Sequence, residues 1–171
     1  ELGGDLSEYA HWDLLALENL HGAQLATEHL IDRGHRRIVF FGGHRDSSSC
    51  RQRHAGYVDA LQAAELAVVP HWRVECAPTR VDAAAATANL FAAEPAPTAV
   101  VCYNDAVAMG LMLGLNRRGL RPGHDVALTG FDDIAEAALC MPALTTLTAT
   151  PRARGRQAAE MLLQPLREPA A

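Results

Sequence analysis

The sequence predicts an α/β fold, a parallel sheet flanked by helices on both faces. Three observations carry this. Apolar runs of strand length recur at residues 38–41, 72–76, 98–102 and 126–129. A stretch with helical apolar spacing separates each run from the next. Gly, Pro, Ser or Asn punctuates the junctions. Strands covered on both faces read as near-continuous hydrophobic runs, and the intervening helices imply parallel pairing with right-handed crossovers.

Residues 1–17 show no clear period. Tyr9, Trp12, Leu14, Leu15 and Leu17 fit an extended lead-in or a short helix equally. From Asn19, the apolar residues Leu20, Ala23, Ala26, Leu30 and Ile31 recur at helical spacing, and Gly34 supplies the stop. Residues 38–41, Ile-Val-Phe-Phe, form a buried strand that Gly42 and Gly43 end. Ser49 and Gln52 have capping-box spacing, which predicts a helix from near Cys50 to about Ala64 that buries Tyr57, Val58 and Leu61. Arg51, Arg53 and His54 fall in its first turns, where positive charge opposes the helix dipole. At least one Arg should therefore have an anionic or polar partner elsewhere.

Residues 72–76 alternate and predict the second strand. Thr79 with Asp82 marks another capped start, of an Ala-rich helix reaching about Ala92. Glu94, Pro95, Ala96 and Pro97 make a rigid connection to the third strand, 98–102. Asn104 stands at the exit of that strand. The next helix buries Ala108, Leu111, Met112 and Leu115 and stops at Gly119. Residues 121–125 form a turn, and 126–129 the fourth strand. Asp133 with Glu136 reads as a carboxylate version of the capping pair, which leaves Asp132 free. Residues 144–147 are short and extended. Thr150 and Pro151 open a last helix, with Pro at the favoured first position, ending near Pro165. The tail from Arg167 to Ala171 should fray.

At 171 residues the chain holds one domain with room for a piece of a second. No run reaches the roughly 18 apolar residues of a membrane span. The first residues carry no basic region followed by an apolar one, so they do not read as a signal peptide. With no initiator Met, the chain is expected to be a fragment. The net charge of −5 argues against these residues gripping a phosphate backbone, which needs clustered Lys and Arg. Cys50, Cys76, Cys102 and Cys140 lie far apart with no CxxC pair and read as buried thiols of a reducing compartment. The eight His residues show no metal-ligand spacing, and no metal or cofactor is expected.

Arg53, Asn104 and Asp132 each follow a different predicted strand. On a parallel sheet those ends share one edge, where ligands of such folds bind. A guanidinium fork, an amide and a carboxylate meeting there would suit a polyhydroxylated or planar polar ligand. Asn104 can cap its helix and touch a ligand at once. Enzyme chemistry is not expected. Asp132 and Asp133 are adjacent and would diverge, the serines lack a nucleophile elbow, and Gly42-Gly43-His44 is no phosphate-binding loop.

Several segments in order resemble the C-terminal effector subdomain of LacI/GalR-type transcriptional regulators. They are Glu18 to Gly22, Ala26 to Leu30, Gly34 to Ile38, Arg53 to Tyr57, Asn104 to Gly110, Gly130 to Asp133, and Pro142 to Thr146. The resemblance covers roughly residues 17–165. It implies a periplasmic-binding-protein-like (type I) fold of two α/β subdomains joined by three crossovers. A small effector, a sugar or nucleobase-like molecule, binds between them. It also implies a cytoplasmic homodimer that grips operator DNA through a headpiece absent from this chain, with no membrane partner.

On that resemblance, residues 1–17 are a lead-in and crossover remnant, and 18–146 are the C-terminal effector-binding subdomain. Residues 147–171 are a crossover and returning helix of the N-terminal subdomain, so half the effector cleft should be missing. By matched position Arg53, Asn104 and Asp132 are effector contacts. Glu18 stands where many members have Asp and is a further candidate. Ala77, Pro78 and Thr79 occupy the stretch where some members place a stacking aromatic, Ala149 replaces a usual Gln, and His35 matches a structural Gly-His pair. The rival readings are a periplasmic sugar-binding protein of a transporter, which shares the fold, and a small α/β enzyme. An upstream helix-turn-helix would mark the regulator, a signal peptide the transporter component, and turnover the enzyme.

Overall fold

Burial of the strands on both faces places the core. A computed structural model of the chain describes residue 15 and residues 17–91 and 94–167. Its central sheet has four parallel strands: β1 (Ile38–Phe41), β2 (Arg73–Val74), β3 (Ala99–Cys102) and β4 (Ala127–Thr129), in the order β2-β1-β3-β4. Successive side chains of a strand point to opposite faces. Ile38, Phe40, Ala99 and Val101 therefore pack on one side, against α1 (Asn19–Asp32) and α2 (Ser48–Ala63). Val39, Phe41, Val100 and Cys102 pack on the other, against α3 (Arg80–Ala86) and α4 (Asp105–Arg117). All eight are buried, as two-faced strands require.

α1 and α2 lie very close. A Cβ on Gly56 would collide with the Leu20 carbonyl, so only glycine permits this approach. A final helix, α5 (Pro151–Arg167), follows an extended segment in which Thr145 bridges Thr129 and Thr148 bridges Asp132, both parallel. Among the described residues no helix is long and apolar enough to cross a membrane. Cys50 and Cys102 are buried, and Cys76 and Cys140 half-buried, all as free thiols.

Several sequence expectations need correction. α2 starts at Ser48, close to the expected Cys50, but its cap is not Ser49. Ser47 is its cap and accepts from Cys50 N, while Ser49 Oγ lies 2.9 Å from Tyr103 Oη instead. The expected strand 72–76 shrinks to two residues, because Trp72 closes a 3₁₀ turn and Cys76 already bridges Gly43 antiparallel. The Ala-rich helix is capped by Thr79 as expected, but after Ala86 it tightens into a 3₁₀ turn over Thr87–Phe91. There Thr87 Oγ1 donates to the Ala83 carbonyl, a local bond that competes with regular helix.

Among the described residues Asp133 makes no capping hydrogen bond. Its φ is +56°, the following 3₁₀ turn Ala135–Leu139 has no side-chain cap, and Ile134 N donates to Asp105 instead. On α1, Leu20 faces outward at 42% exposure and Asn19 is buried in its place, while Ile31 is half-buried, as is Val58 on α2. The last helix passes Pro165 and includes Arg167. The readings of Tyr9, Trp12 and Leu14, and of the tail beyond Arg167, lie outside the described residues.

Candidate functional site

The strand order sets where polar side chains can gather. β1 is flanked by β2 on one side and β3 on the other, so the connections leaving it diverge and open a crevice at the carboxyl ends of β1 and β3. α2 follows β1 and delivers Arg53. Tyr103 and Asn104 follow β3 at once. Gly130, Phe131 and Asp132 follow β4.

Arg53 is the centre of this crevice, and it is 5% exposed. Its Nε donates to Asn19 Oδ1 at 2.9 Å and its Nη1 to the Tyr103 carbonyl at 2.5 Å. Its Nη2 lies 3.6 Å from Asp132 Oδ1, an ion-pair distance too long for a good hydrogen bond. The guanidinium rests on the Phe131 ring, 3.7 Å from its centroid, and faces Tyr103 at 4.8 Å. Two aromatic planes and three polar groups therefore fix the fork in one orientation. The expected polar partner for an Arg of this helix is present. Asn19 is itself held, its Nδ2 donating to Gln52 Oε1 at 2.9 Å.

Asp132 is oriented differently. Its side chain is 35% exposed, and its φ of +117° is a left-handed backbone that a side chain disfavours. Burial pushes its carboxyl above its ordinary value. The pull of Arg53 opposes that rise and the charge of Asp105 adds to it. Asn104 caps α4, its Oδ1 accepting from Val107 N at 3.0 Å. That leaves the Asn104 amide nitrogen as a donor without a partner among the described residues.

The structure thus joins Arg53 and Asp132 directly. It sets Asn104 one residue beyond the carbonyl that Arg53 holds. Glu18 is not part of this cluster. It is exposed, makes no cap hydrogen bond, and lines a cleft of about 580 Å³ with Leu17, His21, Leu147, Thr148 and Arg154. Phe131 borders both regions, but none of the three clustered residues lines that cleft. Sequence reasoning assigned no site role to Asn19, Tyr103, Phe131 or Asp105. The aromatic directly after each of β3 and β4 was the available signal for Tyr103 and Phe131. Nothing in the sequence marked Asp105 as the fully buried member of the Asn104-Asp105 pair.

Residues 27–171 match the family described as periplasmic binding protein-like domain. The HTH-type transcriptional repressor PurR of Vibrio campbellii is 39% identical over 147 residues, 86% of this chain and 44% of that protein. The chain thus spans about half the length of the curated relatives it matches. Among solved structures, a regulatory protein of the LacI family from Chloroflexus aggregans superposes with a TM-score of 0.85 at 33% identity, covering 92% of this chain and 58% of that one. The transcriptional regulator CelR in complex with cellobiose gives a TM-score of 0.81 at 30% identity, covering 86% of this chain and 45% of that one.

Proposed function

The chain belongs to the periplasmic binding protein-like domain family, and from that premise we propose that it is the effector-binding part of a LacI-type transcriptional regulator. The observation that carries the reading is the Arg53–Asp132 pair, with the Arg53 guanidinium stacked over the Phe131 and Tyr103 rings beside the carboxyl ends of β1 and β3. A ligand hydroxyl or ring nitrogen entering there meets a carboxylate acceptor, an uncommitted amide donor on Asn104 and a preoriented guanidinium. Such a set rejects ligands lacking the matching groups, because each mismatch strands a desolvated polar partner. We assign Arg53, Asn104 and Asp132 as effector contacts, with Glu18 and its adjoining cleft as an outer contact. A sugar or nucleobase-like effector fits this chemistry, and the cellobiose complex of a structural neighbour supports the sugar class.

Regulation then follows from differential affinity. The effector binds one arrangement of two subdomains better than the other, and the shift in population alters how a dimer's headpieces meet operator DNA. In this reading the protein acts in the cytoplasm, as a homodimer and without catalytic turnover. Residues 18–146 form the effector-binding subdomain, and 147–171 pass back to its partner subdomain. The relatives named above are regulators rather than transporter components, which favours this reading over the periplasmic rival.

Isothermal titration of the full-length protein against sugars and nucleobases tests it. One class should bind, and Asp132→Ala should weaken that binding by about 2–5 kcal/mol, the scale of truncating one partner of a hydrogen-bonded charge pair. Unchanged affinity with the fold intact would overturn the site.

A further inference from the structure

We propose that Asp105 is the positioning residue of this site, pinning the loop that carries Asp132 to the neighbouring extended segment through Thr146 and Ile134. That the pinned residue meets an effector rests on the function proposed above; the pinning itself does not.

Asp105 is fully buried and has no ion-pair partner among the described residues. A carboxylate in that position is costly unless hydrogen bonds replace its water. Two do. Thr146 Oγ1 donates to Oδ1 at 2.5 Å, and Ile134 N donates to Oδ2 at 2.9 Å. The residue also opens α4, where the helix dipole favours a negative charge. Its own amide donates to the Phe131 carbonyl at 2.9 Å. Asp105 therefore holds the chain on both sides of Asp132 and Asp133, two consecutive non-glycine residues with positive φ. Strained backbone of that kind persists where its surroundings over-determine it.

The loop is also shaped around the carboxylate. A Cβ on Gly130 would collide with Asp105 Oδ1. Alongside, Gly130 N and Asp132 N donate to the Thr145 and Leu147 carbonyls, each at 2.8 Å, with Thr146 between them. Loop and segment are hydrogen-bonded into one strip, and Asp105 fastens it to the start of α4. The charged groups that bear on Asp132 are Arg53 from α2 and Asp105 from α4.

The test compares Asp105→Asn, Thr146→Val and Thr146→Ser in the 171-residue chain, without ligand. Asp105→Asn should lower the titration midpoint of the Asp132 carboxyl, followed by carbon NMR, because the neighbouring negative charge is gone. Amide exchange at Asp132 and Ile134 should rise about tenfold or more in Asp105→Asn and Thr146→Val, with the β1 and β3 amides unchanged. Thr146→Ser keeps the hydroxyl and should restore protection to within about twofold of the parent. If Asp105→Asn does not fold, the Thr146 pair decides alone. An unmoved Asp132 midpoint, or exchange that rises equally across the sheet, would overturn the assignment. Failure of the effector reading would instead appear as unchanged calorimetry in Asp132→Ala while these exchange effects remain.

Discussion

Replacing Arg53 by Met should destabilise the chain far more than neutralising its ion-pair partner. The guanidinium is buried and makes two short bonds, to Asn19 Oδ1 and to the Tyr103 carbonyl. Each hydrogen bond from a charged donor contributes about 1.5–3 kcal/mol. Contact with the Phe131 ring adds about 1–2 kcal/mol. Met recovers part of the packing, and removing a buried cation relieves some desolvation. A net loss of about 3–4 kcal/mol is expected, within the range for breaking buried charged networks.

Asp132→Asn is the control. That carboxylate is a third exposed and stands 3.6 Å from its partner, so its loss should change stability by no more than about 1 kcal/mol. Urea unfolding followed by far-ultraviolet circular dichroism measures both. With a slope of about 2 kcal/mol per molar urea, Arg53→Met should lower the midpoint by about 1.5–2 M at unchanged slope. A drop below about 0.5 M, or equal drops in both variants, would refute the claim that Asn19 and Tyr103 make Arg53 the anchor of the site.

Two further outcomes follow from the packing of α2. His54 sits against Phe40 and Tyr57, and burial, with the nearby Arg73 and Arg45 charges, pushes it down from 6.5 to about 4. The unfolded chain therefore takes up the proton first on acidification. The stability contributed is fully present above about pH 6.5 and is lost as pH falls toward 4, on the order of 2 kcal/mol. Denaturant melts between pH 7 and 4 should show a slope that His54→Gln flattens; an unaltered slope would rule His54 out. Gly56→Ala drives a methyl into the Leu20 carbonyl and should cost about 2–3 kcal/mol by forcing α1 from α2. A melting curve within experimental error of the parent would show that the helix pair yields freely.

Continuous apolar runs made β1 and β3 legible, because a strand buried on both faces leaves no polar position to confuse the pattern; Val126, Ala127 and Leu128 sufficed for β4. The same pattern overextended β2, an edge strand whose neighbouring Trp72 and Cys76 belong to a turn and an antiparallel bridge. Helix caps were readable at Thr79 and Asn104, where one side chain had one obvious amide to serve. Among Ser47, Ser48 and Ser49 the choice was undetermined, since Tyr103, 54 residues away from Ser49, decides which hydroxyl is diverted. Asp133 was misread for a related reason. Asp105 reaches Ile134 N from another strand's exit.

The sequence by itself determined the alternation of strands and helices, and that Arg53, Asn104 and Asp132 follow different strands. Apolar spacing and local hydrogen bonding encode those features over a few residues. Only the tertiary structure decided that Arg53 stacks over Phe131 and Tyr103, that Asn19 fills a buried position in place of Leu20, that Glu18 faces a separate cleft, and that Asp105 holds the loop bearing Asp132. Those outcomes depend on groups far apart in the chain competing to replace water around buried charge, and a local pattern carries no record of who wins.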